Sequence, residues 1–189
     1  DLTKWMIPAG TLLDAYGFLL IWADGTDMGR HSNFKLNDSG ESIILSDKNG
    51  QVADTISYSR QFPDISYGRD ENGKEVYFTQ VTPEGSNPQQ GFSGHSSSPN
   101  MLPNGGFYQL PVSGFLNVTL DLPDLSGDGV IYYTLDGKEP TEDSQIYSKP
   151  INISETTVVR ARIYEPGHLP SRVITHTYFI NESITLPVI

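Results

Sequence analysis

The 189-residue chain has no cysteine, which excludes disulfides and thiolate metal sites and leaves its compartment open. Long apolar runs are missing too. Nothing approaches the ~20 residues that a membrane helix needs, so no membrane insertion is expected. No stretch has the charged, apolar, small-residue order of a signal peptide, so any export signal is expected outside this sequence. Basic residues are scarce: 12 Lys and Arg stand against 23 Asp and Glu, for a formal net charge of −11. Both halves share the deficit, with 7 basic and 13 acidic groups in residues 1–90 and 5 and 10 in residues 91–189. Such a surface repels a phosphate backbone, which makes nucleic acid a poor partner. The apolar pattern of an amphipathic helix is absent as well.

What the chain has is punctuation. Its 18 Gly and 13 Pro recur every few residues, which favours many short strands joined by turns. In the first half Phe18–Trp22 reads as a continuous apolar strand ended by Asp24-Gly25, and Ile43-Ile44-Leu45 as a second. Asn49-Gly50 predicts a type I′ hairpin turn leading to a strand over Val52–Tyr58, and Asn72-Gly73 predicts a hairpin between Tyr67 and Val76-Tyr77-Phe78. Over residues 82–106, Pro, Gly and Ser fill 14 of 25 positions, the composition of a linker or a long irregular connection. Beyond it Leu116, Val118 and Leu120 alternate strictly, giving one buried face. Ile131, Tyr133 and Leu135 share a face, with Tyr132 and Thr134 on the other, before a tight turn at Asp136-Gly137. Val159, Ala161 and Ile163 alternate with Arg160 and Arg162, and Thr175–Ile180 closes the pattern; about seven strands fit a sandwich.

Two families resemble these halves. Trp5-x-x-Pro8-x-Gly10-Thr11, Phe18 to Gly25, His31-x-Asn33-Phe34-Lys35-Leu36, Gly40-Glu41 and Ser66-x-Gly68-Arg69 are similar to the bacterial lamin-tail domain, an immunoglobulin-like sandwich. The family's closing Thr-Pro-Gly-x-x-Asn element has an extra Glu here, in Thr82-Pro83-Glu84-Gly85-Ser86-Asn87. Strands that the family carries before the Trp5 motif do not occur in this sequence. The first module is therefore expected to be N-terminally incomplete, its open edge closed by the linker, by the second module or by another copy of the chain. The run from Gly129 to Thr141, Gly129-Val130-Ile131-Tyr132-Tyr133-Thr134-Leu135-Asp136-Gly137-x-x-Pro140-Thr141, with Ser144, Tyr147, Pro150-Ile151 and Thr157-x-Val159-Arg160-Ala161, resembles the chitobiase-type C-terminal module, a fibronectin-III-like sandwich. The expected organisation is an all-β pair of antiparallel sandwiches: a partial lamin-tail-like module over residues 1–85, a linker over 86–106, a chitobiase-type module over 107–181 and, over 182–189, a lead-in to a following domain. Proteins of this build resemble those that carry a spore-coat-type kinase-like domain next.

Candidate chemistry is sparse. Thr134-Leu135-Asp136-Gly137 reads as a hairpin in which Asp accepts local backbone bonds. An outward Tyr132 would offer a flat ring for stacking on a sugar, which makes it the ligand-binding candidate. Asp24, Asp27, Asp47 and Asp70 sit in Gly- or Asn-containing turns whose oxygens are of the type that holds calcium. Asp47-Lys48-Asn49-Gly50 nevertheless lacks the third oxygen position and distal Glu of an EF-hand, so these read as solvated turn carboxylates. His31, His95, His168 and His176 show no metal-binding spacing, and no metal or cofactor is expected. Gly91-Phe92-Ser93-Gly94-His95 lacks the strand-turn-helix context of a hydrolase nucleophile. Trp5 and Trp22 read as core or interface packing, and the sequons at Asn37, Asn117, Asn152 and Asn181 matter only in a glycosylating host. The chain is thus expected to be a non-enzymatic spacer or interaction unit of an exported or cell-surface protein. Its expected partners are a neighbouring domain of the same polypeptide and a protein or glycan, and self-association through an open edge is a further route. Carbohydrate binding is the alternative; a degenerate hydrolase, third, would need a concave pocket with perturbed carboxylates.

Overall fold

The computed structural model describes residues 2–122 and 128–183. Among them there is no helix; the chain is all-β and divides into two compact units, Asp1–Ser93 and Gly94–Ile189. Most of the stretch read as a lead-in, residues 184–189, lies outside the described residues.

The first unit contains two hairpins. β1 (Glu41–Ser46) pairs antiparallel with β2 (Val52–Tyr58), and β3 (Ser66–Arg69) with β4 (Glu75–Phe78). Both turns are built alike. Gly50 N donates to Asp47 O, Asp47 N to Gln51 O, and the Asp47 carboxylate accepts from Asn49 N and Gln51 N; Asp70, Asn72, Gly73 and Lys74 repeat these bonds. In both, only the Gly takes positive φ, +79° at Gly50 and +78° at Gly73. This corrects the type I′ expectation, which needs positive φ at both central residues. The Asp side chain closes the loop and leaves the left-handed position to Gly.

Val76, Tyr77 and Phe78 of β4 form the buried centre of this unit, with Tyr67 and Phe62 ringed around Tyr77. Residues 18–22 do not form the strand their apolar content suggests. Trp22 makes one isolated bridge, to His31, and Phe18 and Trp22 are half exposed. A strand needs a ladder partner as well as apolar residues. Among the described residues this segment has none.

Among its described residues the second unit holds two sheets. β7 (Leu116–Asp121) lies between β10 (Ile151–Ile153) and β5 (Asn100–Leu102). The other sheet runs β6 (Gly106–Tyr108), β12 (Ile174–Ile180), β11 (Thr157–Tyr164), β8 (Val130–Thr134), β9 (Gln145–Ile146), antiparallel except for the parallel pair β6 and β12. Alternate residues of both sheets meet in one core: Met101, Val118, Leu120, Ile151 and Ile153 from the first, Ile131, Val159, Ala161, Ile163, Tyr178 and Ile180 from the second. The period-two reading of Leu116–Leu120 and Val159–Ile163 follows directly from this arrangement.

Within the Pro, Gly and Ser-rich stretch the chain is structured. Tyr77 and Phe92 exchange two backbone bonds of 2.8 Å in the first unit. In the second, Leu169 N donates to Gly94 O and Ser96 N to Leu169 O, β5 adds Met101 to the core, and Tyr178 Oη donates to Pro103 O at 2.7 Å. The division between the units falls at Ser93 and Gly94, inside residues 86–106.

Candidate functional site

In the first unit a compact loop gathers three side chains that sequence spacing does not group. Trp22 N donates to Arg30 O at 2.9 Å and Ser32 N to Trp22 O at 2.8 Å, while Met28 and His31 exchange backbone bonds across the turn. Ser32 is fully buried and its Oγ donates to Phe34 O, pinning the return segment. Trp22 and Asp24, two apart on extended backbone, therefore face the same way and meet His31. The His31 and Trp22 rings lie 6.2 Å apart at 15°. His31 Nδ1 is 2.6 Å from Asp24 Oδ2, and Thr26 N donates to Asp24 Oδ1. The bond to His31 first, then that from Thr26, lowers the Asp24 carboxyl from 3.8 to about 2. With Trp22 54% exposed, the arrangement is a flat apolar ring rimmed by a carboxylate and an imidazole. Of the two roles expected for Trp22, core or interface packing, the first does not hold, since Trp22 stands outside the core. Such a site suits a ligand with one apolar face and hydroxyls at its edge. The signal in the sequence was Trp22-x-Asp24 followed by a Gly-containing turn and His31.

Elsewhere the four turn aspartates stay apart in role. Asp24 serves His31 and Thr26, Asp27 occupies a positive-φ position of the same loop, and Asp47 and Asp70 cap their own turns. Among the described residues no group of three His, Asp or Glu is arranged to hold a metal. His95 Nδ1 is 2.9 Å from Pro170 O, His168 pairs loosely with Glu165 at 3.7 Å, and His176 packs its ring edge on Tyr178. A cleft of about 320 Å³ in the first unit is lined by Leu36, Ile43, Ile56, Tyr58 and Tyr67 with Asp38 on its rim. Burial, then the bond from its Oη to Glu41, pushes Tyr58 up to about 12. Glu41 is held below the ordinary carboxylate value, chiefly by the Asn37 amide and then by Tyr58.

In the second unit the hairpin after β8 is tied to itself and to β11. Thr134 Oγ1 donates to Lys138 O, Lys138 N to Asp136 Oδ1, and Arg160 Nη1 to Gly137 O at 3.0 Å. Tyr132 lies on the outer sheet face, opposite Arg162 and Ile146. Residues 103–175 match the chitobiase/beta-hexosaminidase C-terminal domain. That is an accessory domain of glycosidases. No curated protein and no solved structure matches the chain. Within the matched span the Tyr132 ring meets Tyr164 edge-on, at 85° and 5.4 Å, while Arg162 is drawn to Glu139 at 2.8 Å and to Ser171 O. Two rings at right angles do not extend one another's plane, so Tyr132 offers a single half-buried ring rather than a platform.

Proposed function

We propose that this chain is a non-catalytic spacer and interaction segment of a larger exported or cell-surface protein. The observation that carries the reading is the match of residues 103–175 to an accessory domain of glycosidases, over a span whose conspicuous Asp-Gly hairpin has its Thr134 and Asp136 side chains bonded to its own backbone. The lamin-tail resemblance of the first half and a net charge of −11, which disfavours nucleic acid, agree with it.

A second reading, glycan binding, is favoured by the near-parallel pair of Trp22 and His31 beside Asp24. Tryptophan fluorescence separates the two, because the chain has only Trp5 and Trp22. The spacer reading expects no change of emission on titration with chitooligosaccharides or peptidoglycan fragments. Saturable quenching that disappears in Trp22→Phe or Asp24→Ala, but persists in Tyr132→Ala, would replace it with the glycan reading.

A further inference from the structure

The β1 strand of the first unit is unusual for a sheet edge. Among the described residues it pairs with β2 alone, and no backbone bond joins Glu41–Ser46 to any other segment. Its bonds to segments other than β2 are made by side chains, Ser46 Oγ donating to the Leu2 carbonyl and the Glu41 carboxylate accepting from Asn37 N. Edge strands are ordinarily blunted by charge, proline or cover. Here Ser42-Ile43-Ile44-Leu45-Ser46 carries neither charge nor proline, and Ile43, Ile44 and Leu45 are 39%, 45% and 50% exposed. A two-stranded sheet with apolar residues exposed on both faces is marginal alone; three or more strands are needed for stability of its own.

The run is also self-complementary. Two such strands set antiparallel about a two-fold axis at Ile44 place Ile44 opposite Ile44, Ile43 opposite Leu45 and Ser42 opposite Ser46 of the second copy. Every pair matches in polarity, which is the requirement of an isologous interface. From this we infer that the occupant of the β1 edge is a second copy of this chain, giving a four-stranded sheet in the order β2, β1, β1, β2. The same register sets Glu41 opposite Asp47 of the other copy. Both carboxylates are already held by local bonds, Glu41 by Tyr58 and Asn37, Asp47 by Gln51 and Asn49. Like charges there, together with a net −11 on each copy, oppose association and are screened by salt, so the dimer strengthens as ionic strength rises.

The test is sedimentation velocity of the full chain over a wide concentration range at low and high salt, combined with cysteine crosslinking, which is unambiguous in a chain without cysteine. A concentration-dependent dimer favoured by salt is expected. Ile44→Cys should form a disulfide-linked dimer on mild oxidation, while Thr55→Cys, on the same face but one strand further from the axis, should not. Ile44→Lys should be monomeric with an unchanged thermal transition, and Ile44→Val should still dimerise. A wild-type chain that stays monomeric under all these conditions, or equal crosslinking through positions 44 and 55, would overturn the inference.

Discussion

Ile163→Ala is expected to lower the stability of the second unit by about 2–5 kcal/mol, a large share of the ~5–15 kcal/mol typical of a domain. Ile163 is fully buried on β11, faces Ile131 across the ladder, and its amide and carbonyl are both taken by Ser171, at 2.9 and 3.0 Å. The backbone on either side is thus fixed and the site has little freedom to collapse around the lost methyl groups, which places the cost toward the upper end of the range. Ile146→Ala, on the exposed edge strand β9, provides the contrast and should cost less than ~1 kcal/mol. Urea denaturation reads both, with the slope unchanged if only the native state is affected.

The second large effect is expected in the first unit, at Gly91. A Cβ there would lie 2.6 Å from Tyr77 O and 2.6 Å from Val76 Cγ2, against the buried centre of the unit and beside the Tyr77–Phe92 bridge. Backbone cannot step aside as the end of a long side chain can, so Gly91→Val must break the bridge or displace β4. The expected loss is about 1–3 kcal/mol or more, seen as a lowered melting transition and faster amide exchange at Tyr77 and Phe92. Gly94→Val, at a position with nothing within 4 Å, should be nearly silent.

Both residues illustrate which parts of this fold were legible in the sequence. Ile163 was readable, because Val159, Ala161 and Ile163 alternate with Arg160 and Arg162 and a period of two assigns a face without knowledge of the partner strand. The strand at Val52–Tyr58 was readable for a different reason: Asn49-Gly50 marks a turn just before it, although the turn is closed by Asp47 and is not type I′. Gly91 was not, since a composition rich in Gly, Ser and Pro describes a linker and a packed irregular segment equally well. Close approach to Val76 and Tyr77 is a tertiary fact. Phe18–Trp22 misled in the opposite direction, being apolar enough for a strand but lacking a ladder partner among the described residues. The grouping of Trp22, Asp24 and His31 escaped because each residue has an ordinary local explanation. Only the folding back of the loop through Met28 and His31 brings the three together.

The proposal that the chain is a non-catalytic spacer and interaction segment is tested most directly by incubating the purified chain with aryl glycosides of N-acetylglucosamine and with chitooligosaccharides, and quantifying released product against time and protein concentration. The account predicts release indistinguishable from the protein-free blank for the wild type and for Asp24→Asn alike. Release proportional to protein concentration, and lost on replacing a single carboxylate such as Asp24, would contradict it.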